Sequence, residues 1–176
     1  AERIELVRNA LPDWQVDGLL VTNPINCAWL SGFRGSAASL LITADTTKLA
    51  TDSRYWEQAV IQAPDYELFQ HMRRPQDTAE FILSANVRTL GIEANHVTIL
   101  QADELETIDE ITWRRLNQPL EPMRRIKSEE EIVSVRAAAA ITDSAMAQMP
   151  SLVRPGISER ELAWLLEQQM REAGAS

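Results

Sequence analysis

Few residues in this chain are of a type and spacing that could do chemistry. The two histidines, His71 and His96, stand in different segments. Neither shows the His-Glu-x-x-His spacing or a neighbouring pair of carboxylates that a metal site needs. Asp52, Arg54 and Tyr55 follow directly on a β-type apolar run, and strand ends of α/β sheets often carry binding groups. A carboxylate, a guanidinium and a phenol so close together could position a polar substrate. A plainer account also fits, in which Asp52 caps the next helix by accepting backbone N–H groups while Arg54 and Tyr55 serve surface and packing. Gly32-Phe33-Arg34-Gly35-Ser36 has the look of a phosphate loop but lacks the Gly-Lys-Ser/Thr ending and the Rossmann spacing, so it reads as a turn. Glu129, Glu130 and Glu131 complement the positive end of a helix dipole and need no ligand. Trp14, Trp29, Trp56, Trp113 and Trp164 are too dispersed for a cage and read as packing groups.

Composition narrows the classes further. The 176 residues carry 45% hydrophobic and 24% charged side chains, the balance of a chain that can bury a core. A formal net charge of −9 opposes binding to a phosphate backbone, and no run of lysine or arginine longer than a pair offsets it. No apolar stretch approaches the roughly 20 residues of a membrane span, and the first residues lack the basic and apolar regions of a secretory signal, so a cytoplasmic location is expected. Cys27 is the single cysteine, which excludes an intrachain disulfide and a cysteine zinc cluster and reads as a small buried group.

Helices and strands alternate over the first two thirds of the chain. Ile4, Val7 and Leu11 recur at helical spacing up to Pro12; strands are expected at 18–22, 39–43 and 49–51, with a hairpin connection at 45–48. A helix over 55–63, a strand at 66–69, a helix over 75–85, a strand at 89–93 and a helix from 99 to about 108 follow. Thr98 and Gln101 have the spacing of a capping box at the start of the last. The pattern is that of an α/β domain. Pro119 and Pro122 interrupt it and predict a linker without regular helix. Two further capping boxes, Ser128 with Glu131 and Ser158 with Glu161, open helices that reach Pro150 and Gly174. Their apolar stripes require a partner surface, so residues 127–176 read as the start of a further domain.

Asn26-Cys27-Ala28-Trp29-Leu30-Ser31-Gly32-Phe33-Arg34-Gly35-Ser36-Ala37, followed by Ala50-Thr51-Asp52-Ser53-Arg54-Tyr55-Trp56, resembles the creatinase/prolidase amino-terminal domain. Independently, Met123-Arg124-Arg125-Ile126-Lys127-Ser128 and Arg154-Pro155-Gly156-Ile157-Ser158-Glu159 resemble the entry to a pita-bread metallopeptidase domain. The resemblance implies a three-layer α/β domain of ribonuclease H-like type with a mixed sheet over residues 1–118, a linker at 119–126 and an incomplete pita-bread α+β domain over 127–176. It is nearest to bacterial Xaa-Pro aminopeptidases. It implies that the complete protein binds two divalent metals, manganese, zinc or cobalt, through ligands expected beyond Ser176, and that this part binds none and is inactive alone. Its implied partners are short peptides with proline second and further copies of the chain, as a homodimer or larger oligomer, with no nucleic acid and no membrane. A prolidase, a creatinase-like hydrolase and a non-catalytic partner-binding module are the alternatives. Arg34, Arg54 and Tyr55 are the expected substrate contacts, against the alternative that Arg54 pairs with Asp52 and Arg34 is solvated.

Overall fold

A computed structural model describes residues 2–175. The chain folds as two units, Ala1–Met123 and Arg124–Ser176. The first is built on a mixed six-stranded sheet in the order β4-β3-β2-β1-β5-β6. Its strands are β1 (Gly18–Val21), β2 (Ser39–Thr43), β3 (Thr47–Asp52), β4 (Glu67–His71), β5 (Thr89–Glu93) and β6 (Thr112–Leu116). Only β2 runs against its neighbours; β1 with β5, β5 with β6 and β3 with β4 are parallel. The carboxyl ends of five strands therefore share one edge of the sheet.

Period-two alternation sorts the strand side chains into two cores. Leu19, Val21, Leu40, Ile42 and Leu49 meet α1 (Glu2–Trp14), α2 (Pro24–Ser31) and α3 (Trp56–Gln62) on one face. Leu20, Leu41, Ala50, Leu90 and Ile92 meet α4 (Asp77–Leu83) and α5 (Ile99–Glu106) on the other. Both faces are covered, which is why the central strands read as continuous apolar runs.

Several elements differ from the sequence expectation. The first helix passes Pro12 and ends at Trp14. Gln15 then takes a left-handed φ of 55°, and the bonds Val16 N–H to Leu11 C=O and Gln15 N–H to Pro12 C=O close a Schellman cap. Burial of Ile4, Val7 and Leu11 on the sheet offsets the single donor that proline removes. Asn23-Pro24 begins α2, a helix absent from the sequence expectation: the Asn23 side chain accepts from Ile25 N–H at 2.9 Å and Pro24 occupies the first turn. The expected linker holds a short helix, α6 (Glu121–Arg125), because Pro122 falls in its first turn, where no donor is required.

The second unit contains α7 (Glu129–Leu152) and α8 (Glu159–Glu172), each opened by the expected capping box. Among the described residues α7 buries only Ala145 and α8 none, while Val133, Val135, Met146 and Trp164 remain exposed.

Candidate functional site

The carboxyl edge of the sheet collects the polar groups. Asp52 ends β3 with its side chain 7% exposed. Its Oδ1 accepts the Arg54 backbone N–H at 3.1 Å and Nε at 2.9 Å; its Oδ2 accepts Nη2 of Arg54 and Nη2 of Arg73, both at 2.7 Å. Asp52 therefore does not cap α3: the N-cap position belongs to Tyr55, which makes no side-chain capping bond. The Arg54 guanidinium, followed by that of Arg73, holds the Asp52 carboxyl well below the usual carboxylate range. Asp52 in turn raises the pKa of Arg54.

Two loops are locked together beside this pair. Gly32 closes α2 at φ 76°, and the chain then inserts Phe33 into the core. A Cβ on Gly35 would lie 2.2 Å from Phe33 Cζ, so only glycine passes over that ring without displacing it. Tyr55 packs edge-on against Phe33, with centroids 5.9 Å apart, and shares a 2.8 Å hydrogen bond with Ser36 Oγ. That bond with Ser36 holds the Tyr55 phenol below its ordinary value. Arg54 lies 5.1 Å over the Tyr55 ring. Gln62 Oε1 accepts the Arg34 backbone N–H at 3.0 Å, leaving the Arg34 side chain exposed. Of the three expected contact residues, Arg54 and Tyr55 touch directly and Arg34 projects from the loop bound to Tyr55.

Two further carboxylates, not singled out by sequence, build the edge beneath. Glu93, fully buried at the end of β5, accepts Thr22 N–H at 2.8 Å and Asn23 N–H at 3.0 Å on Oε2, and the Asn26 amide at 2.5 Å on Oε1. It thereby fixes the start of α2. Burial, with the Glu93 charge beside it, pushes the Cys27 thiol up to about 12. Asp77 accepts Met72 N–H at 2.6 Å, Arg74 N–H at 3.0 Å and Arg74 Nε at 2.6 Å, fixing the loop after β4. Burial alone would raise its pKa, but these donors outweigh it and the carboxyl sits below its ordinary value. On the other sheet face a cleft of about 610 Å³ opens between α4 and α5 over Leu20 and Ala50. Arg74 at its rim is already committed to Asp77 and Glu80.

A two-metal centre does not fit the residues present. His71 Nδ1 lies 3.5 Å from Asp77 Oδ2, but that carboxylate is taken by arginine and backbone donors. Among the described residues no three His, Cys, Asp or Glu side chains converge as metal ligands. No described helix is long and apolar enough to cross a membrane.

The creatinase/prolidase N-terminal domain model matches residues 3–126, and metallopeptidase family M24 matches 133–176. The chain belongs to the creatinase/prolidase N-terminal domain family, continued by the start of an M24 domain. An uncharacterized peptidase of Bacillus subtilis, YqhT, is 35% identical over 175 residues, covering 98% of this chain and 50% of that protein. The structure of an Xaa-Pro dipeptidase from Bacillus anthracis matches with a TM-score of 0.93 at 32% identity, over 99% of this chain and 50% of that one. An X-Pro aminopeptidase from Thermotoga maritima matches with a TM-score of 0.84 at 26% identity and the same coverage. The chain thus spans about half the length of the curated relatives it matches.

Proposed function

We propose that this chain is the amino-terminal half of a metal-dependent Xaa-Pro aminopeptidase, which removes the residue preceding proline from short peptides. The observation that supports this most is the order of the two family matches, an amino-terminal domain followed directly by the beginning of a metallopeptidase domain. Two divalent metals, manganese, zinc or cobalt, belong on this reading to the remaining half. The bond to proline suits such a centre, because the imide nitrogen lacks the N–H that ordinary protease recognition uses. Supplied by that half, the metals would activate water and polarise the scissile carbonyl. The part described here contributes oligomer contacts and restricts access to the cleft. An Xaa-Pro dipeptidase is the second reading, favoured by the likeness to the Bacillus anthracis dipeptidase.

Arg34, Arg54 and Tyr55 are assigned as peptide contacts. Their support is a rigid pair of loops at the carboxyl edge that presents cations to solvent, a setting in which fixed charge can orient a substrate. In the longer protein, Arg34→Ala and Arg54→Ala should each lower kcat/KM for an Xaa-Pro peptide about 10-fold with the unfolding midpoint of Arg34→Ala unchanged. Unaltered kinetics in both variants would leave these arginines with a structural role alone. Cleavage of Xaa-Pro-Xaa tripeptides separates the aminopeptidase from a dipeptidase, which would accept only the dipeptide.

A further inference from the structure

Strand pairing places Arg73 where the sequence gives no hint of it. Asp52 and His71 are partners at the ends of the parallel strands β3 and β4. Arg54 stands two residues past the first and Arg73 two residues past the second, so the two guanidiniums arrive side by side from adjacent loops. Each places Nη2 2.7 Å from the same Oδ2 of Asp52. The carboxylate behind them is 7% exposed, whereas the Arg54 and Arg73 side chains are 55% and 65% exposed. The buried acid thus orients both guanidiniums, while more than half of each arginine side chain stays exposed. Two cations on one anion leave this corner with a net positive charge in a chain whose formal charge is −9.

The loop carrying Arg73 is built to hold it. Arg73 adopts φ 61°, the left-handed region that costs a residue with a Cβ. Its N–H donates to His71 Nδ1 at 3.1 Å, and the residues on either side donate their N–H groups to buried Asp77. Among the described residues no second carboxylate pairs with Arg54 or Arg73. Planar guanidinium forks match a carboxylate through paired N–H···O bonds, a geometry an ammonium cannot reproduce.

We propose that Arg73 and Arg54, held by Asp52, form a subsite for the terminal carboxylate of a short peptide. The source of that carboxylate rests on the peptidase reading above; the subsite itself rests on the arginine pair. It makes Arg73 a specificity residue that favours peptides ending in a free acid close to the proline over longer or amidated ones.

The test follows the Arg Nε–Hε resonances of the 176-residue chain while Gly-Pro, or Gly-Pro amide, is added to about 10 mM, enough to populate a site of millimolar Kd. The free acid should shift the Arg54 and Arg73 signals saturably and the amide should not. Arg73→Ala and Arg73→Lys should abolish the Arg54 response, whereas Arg114→Ala, which removes the same charge from edge strand β6, should keep it. No shift, or equal shifts with acid and amide, would overturn the subsite. In the longer protein the ratio of kcat/KM for free-acid over amidated peptide should fall at least about 5-fold in Arg73→Ala. An unchanged ratio would also overturn it. Saturable shifts in a protein that cleaves no Xaa-Pro peptide would uphold the subsite and sink the peptidase reading instead.

Discussion

Asp52 and Asp77 each gather donors from a loop that follows a parallel strand, and both carboxyls sit below their ordinary range. A group depressed in this way binds fewer protons in the folded chain than in the unfolded one once the pH drops below the unfolded value, about 4. Its stabilisation is therefore complete above that pH and fades in more acid solution. Urea midpoints measured from pH 6 downward should fall more steeply below pH 4 in the parent chain than in Asp52→Asn; parallel curves would contradict the ion-pair account. Sequence reached only part of this corner. Asp52 and Arg54 are two positions apart and could be paired on paper, but Arg73 joins them through the register of β3 and β4, which no local pattern encodes. The polar end of β5 was similarly silent, because a lone glutamate after an apolar run looks like a solvated strand end. Here it is fully buried.

Glu93 shows how a single side chain sets an element. Its two oxygens bind the backbone N–H groups of Thr22 and Asn23 and the Asn26 amide, so the connection from β1 into α2, and with it the loop bearing Arg34, depends on one carboxylate. Glu93→Ala would strand these donors in the core and should destabilise the first unit by about 3 kcal/mol, read by chemical denaturation. A loss within experimental error of zero would show that the α2 start is held otherwise. Elements with local chemical signals were legible in advance: the three capping boxes at Thr98, Ser128 and Ser158 form as their spacing requires. Elements whose signal is tertiary were not. Edge strand β6 carries Arg114 and Arg115 among exposed positions, so no apolar run marks it. Helix α2 was hidden behind an Asn-Pro pair that serves equally well as a turn or as an N-cap with proline in the first turn.

At the scale of the whole molecule, the two units differ in how far each buries its apolar side chains. The first closes two cores around its sheet. The second exposes Val133, Val135, Met146 and Trp164 along two helices, as expected of a domain begun and continued elsewhere in a longer protein. We propose that the stable core, expected from the sequence over residues 1–118, extends to about Met123, because Leu120 is fully buried in the first core and Met123 packs against it. Limited proteolysis should then cut first beyond Met123 and leave a resistant piece ending near it; early cuts within 1–118 with 127–176 intact would contradict that division. The α/β class was readable from the alternation of elements, while the mixed sheet in three layers and the activity were readable only through the family motifs; the described residues assemble no metal centre. The most direct measurement is hydrolysis of an Xaa-Pro peptide by the longer protein with manganese, beside the 176-residue chain under the same conditions. The longer protein should release the first amino acid, an activity abolished by a chelator and restored by metal, and the 176-residue chain should release none. Turnover that followed the 176-residue chain through purification, or a metal-loaded longer protein inert toward every Xaa-Pro peptide, would overturn the peptidase reading.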